Sequence, residues 1–390
     1  MTCDDRFIGA AFGLAGWLAV TAAPASGPPV IAGARLESVS YSALDGWQDD
    51  DHAAAFAAFR LSCRAIVEAA PELRLAQPAP PALVAACREG LALDSQDAAA
   101  ARQFFETRFQ PWRVRADGGA SLLTGYFEPE VAGAMTPGQD FKAPVLGRPP
   151  DLVTLQPGNF DEALPPGLTS ARRTSAGLEP FPDRSAILDG ALAGQGLERL
   201  YLKDAVEVFI VQVQGSARVR LADGRQLRLT YAGRNGHPYT SIGRALIAQG
   251  SIAPAEMSLE RLTSWLRANP EAGDRIMRLN RSYVFFEVSE VDDPARGPIG
   301  GAGIALTAGR SLAVDRNLWP YGVPIFIGAD LDTLAPPLDR QRRLMIAQDT
   351  GSAIVGPARA DFFWGSGNEA GRRAGWTRHP LDFVVLWTRS

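Results

Sequence analysis

The spacing of apolar residues changes period along the chain and divides it into helical and β-rich stretches. Residues 51–70 are Ala-rich and largely apolar, and 81–91 repeat that character, so both read as helices. Ala101, Phe104, Phe105 and Phe109 recur at helical spacing within 95–109 and predict a third. Pro71, Pro78, Pro80 and Pro81 separate the first two, because proline lacks the amide donor a helix interior needs. Residues 26–120 are therefore expected to be mostly helical.

Beyond Gly119 the period falls to two. Residues 122–131 read as a strand, and 137–180 are loop-rich, with frequent Pro and Gly. The alternation Val211-Gln212-Val213-Gln214-Gly215-Ser216 predicts another strand, with Gln212 and Gln214 on one face. The clearest hairpin runs from Arg218 to Tyr231. Val219 and Leu221 precede Asp223-Gly224, and Leu227, Leu229 and Tyr231 follow it; Asp-Gly suits a tight primed turn because both residues tolerate positive φ. Ser241 is the expected N-cap of a helix that ends before Gly250, and 258–268 set Leu259, Leu262, Trp265 and Leu266 on one helical face. From Ser282 onward the apolar runs shorten to 283–288, 304–306, 324–327, 344–347 and 383–387, punctuated by Gly and Pro. With no sequence repeat or heptad run, the fold class is mainly β with helical additions, a barrel or sandwich rather than a βαβ repeat.

Composition narrows the functional classes. A length of 390 residues suits roughly two to three compact units. Thirty-nine basic against 43 acidic residues give a net charge of −4, which supplies no footprint for nucleic acid. Three His and three Cys, with no HExxH or CxxC, leave no metal site, and no cofactor-binding loop is recognisable. At the N-terminus, Arg6, an apolar run from Ile8 to Val20 and Ala23-Pro24-Ala25 describe a secretory signal peptide over residues 1–25. The run is about thirteen residues, too short to span a bilayer comfortably. Asp4 and Asp5 are unusual in such a leader, and an uncleaved anchor or a buried helix is the alternative. Cleavage would remove Cys3. Cys63 and Cys87 would remain on two different helices, as a disulfide stapling them or as two buried thiols.

Candidate chemistry gathers near the C-terminus. The apolar run 344–347 leads into Gln348-Asp349-Thr350-Gly351-Ser352, and Asp361 follows with Phe362, Phe363 and Trp364 directly after it. A carboxyl set among aromatics is poorly solvated, which raises its pKa toward the range of a general acid. Asp315 ends another short apolar strand. Any one of these aspartates alone is commonly a turn or cap residue. Asp349-Thr350-Gly351 also matches the aspartic-protease signature, but such an enzyme needs two copies and the chain has one. Thr124-Gly125-Tyr126-Phe127-Glu128 offers aromatics and a carboxylate, and the amides of Gln212 and Gln214 suit sugar hydroxyls and acetamido groups. A sheet with one solvated face gives the same alternation. Asn235 lies in a tight loop whose His237 is expected to be structural. The absence of a Gly-x-Ser-x-Gly elbow or a Walker loop counts against a serine hydrolase or an NTPase.

Taken in order, LTGYFEPE (123–130), VQVQGSARVRLADG (211–224), YAGRNGHPYTSIGRAL (231–246), GPIGGAGIALTAGRSLAVD (297–315) and AQDTGSAIVGPARADFFWGSGNEAGRRAGW (347–376) resemble the membrane-bound lytic murein transglycosylase A family. The resemblance implies a double-psi β-barrel interrupted by a second β domain, with a glycan strand in the groove between them. The implied boundaries are a helical region and first part of the barrel at 26–130, the insertion at 131–281, and the rest of the barrel at 282–390. It further implies peptidoglycan glycan as substrate, cell-wall synthesis or division proteins as possible partners, and a periplasmic location with outer-membrane association. The catalytic aspartate falls on Asp361 and a supporting one on Asp349, with Asp315 completing a trio. Thr124, Gly125, Tyr126, Glu128, Gln212, Gln214, Gly215, Ser216, Asn235, Asp315, Gly351 and Trp364 become substrate-binding candidates, and no metal or cofactor is implied. Two departures stand out: Ala217 replaces an expected Gly, which would crowd the groove, and no lipid-attachment Cys follows the leader. A non-catalytic glycan-binding module is the competing reading.

Overall fold

Asp51 starts the first helix by accepting a hydrogen bond from the Ala54 amide at 3.0 Å, and α1 (His52–Val67) buries Ala55, Phe56, Phe59 and Cys63. α2 (Pro81–Ala92) carries Pro in its first turn, and α3 (Ala98–Arg108) is capped by Asp97. Phe56, Phe59, Phe104, Phe105 and Phe109 interlock edge to face across α1 and α3. Cys63 and Cys87 form a disulfide that joins α1 to α2, which settles the alternative left by the sequence. The computed structural model describes residues 29–93, 97–119, 121–156, 164–331 and 339–389; the expected signal peptide lies outside them.

The helices pack on a nine-stranded mixed sheet. Its strands are β1 (Ala34–Ser38), β2 (Phe109–Ala116), β3 (Leu122–Glu128), β13 (Ser311–Val314), β14 (Pro324–Leu331), β15 (Asp339–Asp349), β16 (Arg359–Ser366), β17 (Arg378–Pro380) and β18 (Asp382–Thr388), in the order β1-β2-β18-β14-β15-β13-β16-β3-β17. β1 and β2 correct the expectation that 26–120 are mostly helical. The edges of the sheet are β1 and β17, and no ladder joins them among the described residues, so the closed barrel is not seen as such.

The chain leaves this sheet at the end of β3, passes Pro129 and enters a six-stranded sheet. That sheet comprises β4 (Glu130–Ala134), β5 (Ala143–Leu146), β9 (Glu198–Leu202), β10 (Ser216–Arg220), β11 (Gln226–Arg234) and β12 (Val284–Glu290), and its own core includes Leu200, Leu202, Val219 and Leu229. β6 (Leu152–Thr154), β7 (Ser170–Thr174) and β8 (Gly177–Pro180) form a small third sheet. The one-turn α4 (Arg184–Ala186), α5 (Ala205–Gln214), α6 (Ile242–Ala248), α7 (Leu259–Ala268) and α8 (Pro270–Leu279) decorate the second unit, and α9 (Gly367–Trp376) follows β16.

The hairpin at 218–231 is β10 and β11, paired as expected, and Ser241 and Ser258 cap α6 and α7. Two other expectations fail. Residues 211–214 belong to α5 and not to a strand, and 304–306 contribute only a single bridge, Ile299 to Ala305.

Candidate active site

The site is organised by a short, wholly buried strand. β13 lies between β15, with which it runs parallel, and β16, with which it runs antiparallel. Ala313 is the partner of Asp349 on one side and of Asp361 on the other. Residues paired across a sheet project to the same face, so both carboxylates rise on either side of one methyl group. Two strand spacings put their backbones about 9–10 Å apart. No hydrogen bond joins the two carboxyls among the described residues: Asp361 Oδ1 takes the Thr124 hydroxyl and Asp349 Oδ1 takes two amides.

β16 also pairs in parallel with β3, which sets Asp361 beside Thr124 and Phe363 beside Tyr126. The Thr124 hydroxyl donates to Asp361 Oδ1 and accepts from Arg359 Nη2 at 2.7 Å. Burial pushes the Asp361 carboxyl up to about 6, against the opposing pull of Arg359 and the Thr124 hydroxyl, and Asp349 adds to the rise. The aromatic surroundings differ from the sequence expectation, because strand alternation sends Phe362 and Trp364 to the opposite face. There their rings stack, 4.2 Å apart. The ring flanking Asp361 on its own face is Phe363, 5.2 Å from Tyr126. Burial, together with Asp349 and Asp361, drives the Tyr126 hydroxyl well above its ordinary range, so it stays a neutral donor.

Asp349 ends β15, and its Oδ1 accepts from the Gly301 amide at 2.7 Å and the Thr350 amide at 2.8 Å. Gly301 approaches so closely that a Cβ there would fall 2.4 Å from the Tyr321 hydroxyl, and only glycine delivers this amide. Gly125 answers a similar need: a Cβ would lie 2.6 Å from Trp364 Nε1 and 2.9 Å from the Ala374 backbone. Its place in the site is thus to let α9 pack on β3. Trp364 donates to Thr377 Oγ1 at 2.9 Å and carries Arg373 over its ring.

Several candidates sit apart from the two aspartates. Glu128 is fully buried, with Arg228 on Oε1, Arg218 on Oε2 and the Ser366 hydroxyl on Oε2 at 2.7 Å. Gln212 is spent on Arg184 and the Val284 carbonyl. Asn235 holds the Pro182 and Arg281 carbonyls and the Tyr283 amide. Asp315 accepts from the amides of Asn317 and Gly356. Their polar atoms are committed to the fold. Gln214, the last residue of α5, reaches the Phe127 amide at 3.3 Å, Gly215 caps that helix, and Ser216 opens β10. Gly351 begins the loop after Thr350. Ala217 is fully buried in the core of the second sheet, so its methyl fills that core and does not crowd a groove. His237 is buried against the Phe181 carbonyl, as expected of a structural histidine.

Sequence reasoning missed Arg359, Tyr321 and Arg74. Arg359 was legible in retrospect, since it lies two residues before Asp361 and so on the same face. Tyr321 and Arg74 had no local signal. Arg74 arrives from the segment between α1 and α2, where its amide donates to the Gly301 carbonyl and its own carbonyl accepts from Tyr321.

Comparison with known proteins places this geometry. The family model described as the MltA specific insert domain matches residues 122–287, and that of the 3D domain matches 310–387. The membrane-bound lytic murein transglycosylase A of Vibrio cholerae is 35% identical over 274 residues, covering 69% of this chain and 65% of the relative, just under two thirds of its length. The crystal structure of a membrane-bound lytic murein transglycosylase from Agrobacterium tumefaciens superposes with a TM-score of 0.82 at 37% identity, covering 90% of this chain and 97% of that one. Escherichia coli MltA with bound chitohexaose gives a TM-score of 0.60 at 27% identity over 85% of this chain and 89% of that one.

Proposed function

Because the chain belongs to the membrane-bound lytic murein transglycosylase A family, we propose that it cleaves the β-1,4 bond between N-acetylmuramic acid and N-acetylglucosamine in peptidoglycan and leaves 1,6-anhydro-N-acetylmuramyl ends. The observation that carries this reading is the half-neutral carboxyl of Asp361, raised to about 6 on a rigid strand. Its protonated form gives a proton to the departing N-acetylglucosamine oxygen. The C6 hydroxyl of the same muramyl residue then attacks C1, and Asp361 takes the hydroxyl proton back. Intramolecular attack needs no second carboxylate to activate water, since a positioned ring supplies a high effective molarity. Asp349, held in place by two amides, faces the positive charge that develops on the sugar. Thr124 and Tyr126 line the same face, and Gln214 and Gly215 bring the second sheet to it. No step needs a metal or cofactor.

The nine-stranded sheet is read as the double-psi barrel of this family, supported by β17, which pairs with β3 and also packs against β14. The insertion runs through the second and third sheets, and the glycan lies between the two units. No described helix is long and apolar enough to cross a membrane, and the Cys63–Cys87 disulfide suits an oxidising compartment such as the periplasm.

Mass spectrometry of the soluble products from purified sacculi tests the reaction. Anhydro-muropeptides, one water lighter than hydrolysis products, are expected. Reducing ends would instead mean hydrolysis, with a second carboxylate such as Asp349 activating water.

The pH profile follows from the same carboxyl. Activity needs the protonated form, so it should fall as pH rises through about 6. Thr124→Val removes a hydrogen bond that favours the ionised form, so the falling limb should move to higher pH, by about one unit. A limb that stayed in place, or moved to lower pH, would detach Asp361 from it.

A further inference from the structure

Arg74 and Arg234 meet the loop after Asp349, Arg316 lies near them, and none of the three forms an ion pair among the described residues. Arg74 donates from Nη1 to the Thr350 carbonyl, and its guanidinium lies 4.1 Å from the centre of the Tyr231 ring. Arg234, at the end of β11, donates to the Ser352 hydroxyl and, from Nε and Nη2, to Thr169 Oγ1 at 3.1 and 2.8 Å. Arg316, just beyond β13, donates to the Leu75 carbonyl at 3.0 Å, and its own carbonyl accepts from the Gln77 amide at 2.9 Å. Every acceptor here is neutral. Other arginines do meet carboxylates, as Arg218 and Arg228 meet Glu128, Arg310 meets Asp50 and Arg342 meets Asp45 and Asp330, while the buried Arg184 of the second unit also has neutral acceptors alone. The nearest acids are occupied otherwise: Asp349 Oδ1 by two amides, and Glu72 Oε2 by the Ala76 amide. Neither forms an ion pair with the three arginines.

The three cations come from three parts of the chain: the segment after α1, the second sheet and the first sheet. Their charges are not equally placed: against the pull of burial, Tyr231 and Asp349 hold the Arg74 guanidinium above its usual range. Burial, with Arg74 and Arg316 nearby, holds the Arg234 guanidinium below its usual range. Each guanidinium carries five N–H donors in a planar fork that matches a carboxylate, and Arg74 and Arg316 each spend few of theirs on the protein. Unspent guanidinium donors beside a candidate active site suit an anion.

We propose that Arg74, Arg234 and Arg316 bind a carboxylate borne by the glycan strand, either the free lactyl acid of an N-acetylmuramyl residue or an acid of the peptide attached to it. The proposal rests on the glycan-cleaving reading above and adds a substrate class to it: strands bearing acids bind more tightly than neutral chitin-type oligomers.

The test measures affinity of the full chain for chitohexaose, for glycan strands stripped of peptide and for peptide-bearing strands, at low and high salt. Arg234→Gln with Arg316→Gln should weaken binding of acid-bearing strands at least tenfold and that of chitohexaose less than twofold. Arg234→Lys, with Arg316 intact, should keep most of the preference, since it keeps the charge. Salt should weaken only the acid-bearing ligands. A preference for stripped strands assigns the lactyl acid, and a preference for peptide-bearing strands assigns the peptide. Equal loss for acidic and neutral ligands would make the cluster a scaffold element and overturn the proposal, as would no loss for any. Sacculus digestion by the unaltered chain is scored separately: discrimination by charge without anhydro products would leave the anion site standing and sink the transglycosylase reading instead.

Discussion

Asp361→Asn is expected to lower the rate of sacculus digestion by about 10²–10⁴-fold, the range a general acid contributes. Asparagine has the same shape and can still accept the Thr124 hydroxyl, so the β16–β3 pairing and glycan affinity should persist. What disappears is the proton. The stability effect should run the other way. The folded carboxyl titrates near 6 and the unfolded one near 3.8, so the folded state binds more protons between those values. Stability contributed by this group is therefore complete below about 3.8 and is lost as pH rises through about 6. The amide escapes that loss, and the variant should match the parent at low pH and exceed it at pH 8 by about 3 kcal/mol. Thermal melts at pH 4 and pH 8, beside a turnover assay, check both parts. Near-normal turnover with an intact fold would remove Asp361 from the chemistry.

The largest stability loss is expected at Glu128. Its fully buried carboxylate neutralises Arg218 and Arg228, whose side chains are 11% and 10% exposed. Glu128→Ala would strand the desolvated Arg228 and leave Arg218 only the more exposed Glu130, 3.5 Å away, at a cost of about 3–5 kcal/mol. More than the pair is involved. Arg228 Nη2 and Arg218 Nη2 also reach the Arg296 carbonyl, at 2.6 and 3.3 Å, on the segment that returns to the first sheet. Ser366, on β16 five residues beyond Asp361, donates to the same carboxylate. Glutamate thus ties the outgoing connection, the returning connection and the strand of Asp361 into one knot, and its loss should reduce activity along with stability. Glu128→Gln with Arg228→Met should cost less than Glu128→Ala, because it removes a cation along with the anion. Urea denaturation measures both, and a loss below about 1 kcal/mol in the alanine variant would show the pair to be dispensable.

Much of this architecture was legible from the chain, and the failures have physical causes. The helices at 51–70 and 81–91 and the Asp223-Gly224 hairpin were read close to their observed limits because their signals are local. Residues 211–214, the last turn of α5 (Ala205–Gln214), were misread as a strand because β-branched residues alternate there with polar ones. The decisive features lay at the ends, where Asp204 accepts from the Glu207 amide at 2.8 Å and the Glu207 side chain returns to the Lys203 amide at 3.1 Å. This arrangement resembles a capping box, and Gly215 closes the helix. Caps outweighed alternation. Within the candidate site, Asp361 and Asp349 were both named from sequence, yet their placement on either side of Ala313 was not, since it depends on β13 inserting between strands that are distant in sequence. Glu128, Gln212, Asn235 and Asp315 show the converse, since the structure commits their polar atoms to the fold. A motif marks a residue as needed without saying whether a ligand or the fold needs it.

The position of β3 beside β16 sets the order in which this protein can assemble. Thr124 and Asp361 are 237 residues apart, and closing so long a loop at random is slow, because its entropy must be spent before any contact repays it. The second unit shortens that search. Once β4, β10 and β11 have paired, Glu128 and Arg296 are held at one cluster, and the effective gap between the two halves of the first sheet shrinks to a few tens of residues. The insertion is expected to act as an internal folding template, so pulse-labelled amides of β10 and β11 should gain protection before those of β16, with the candidate site the last part of the chain to form.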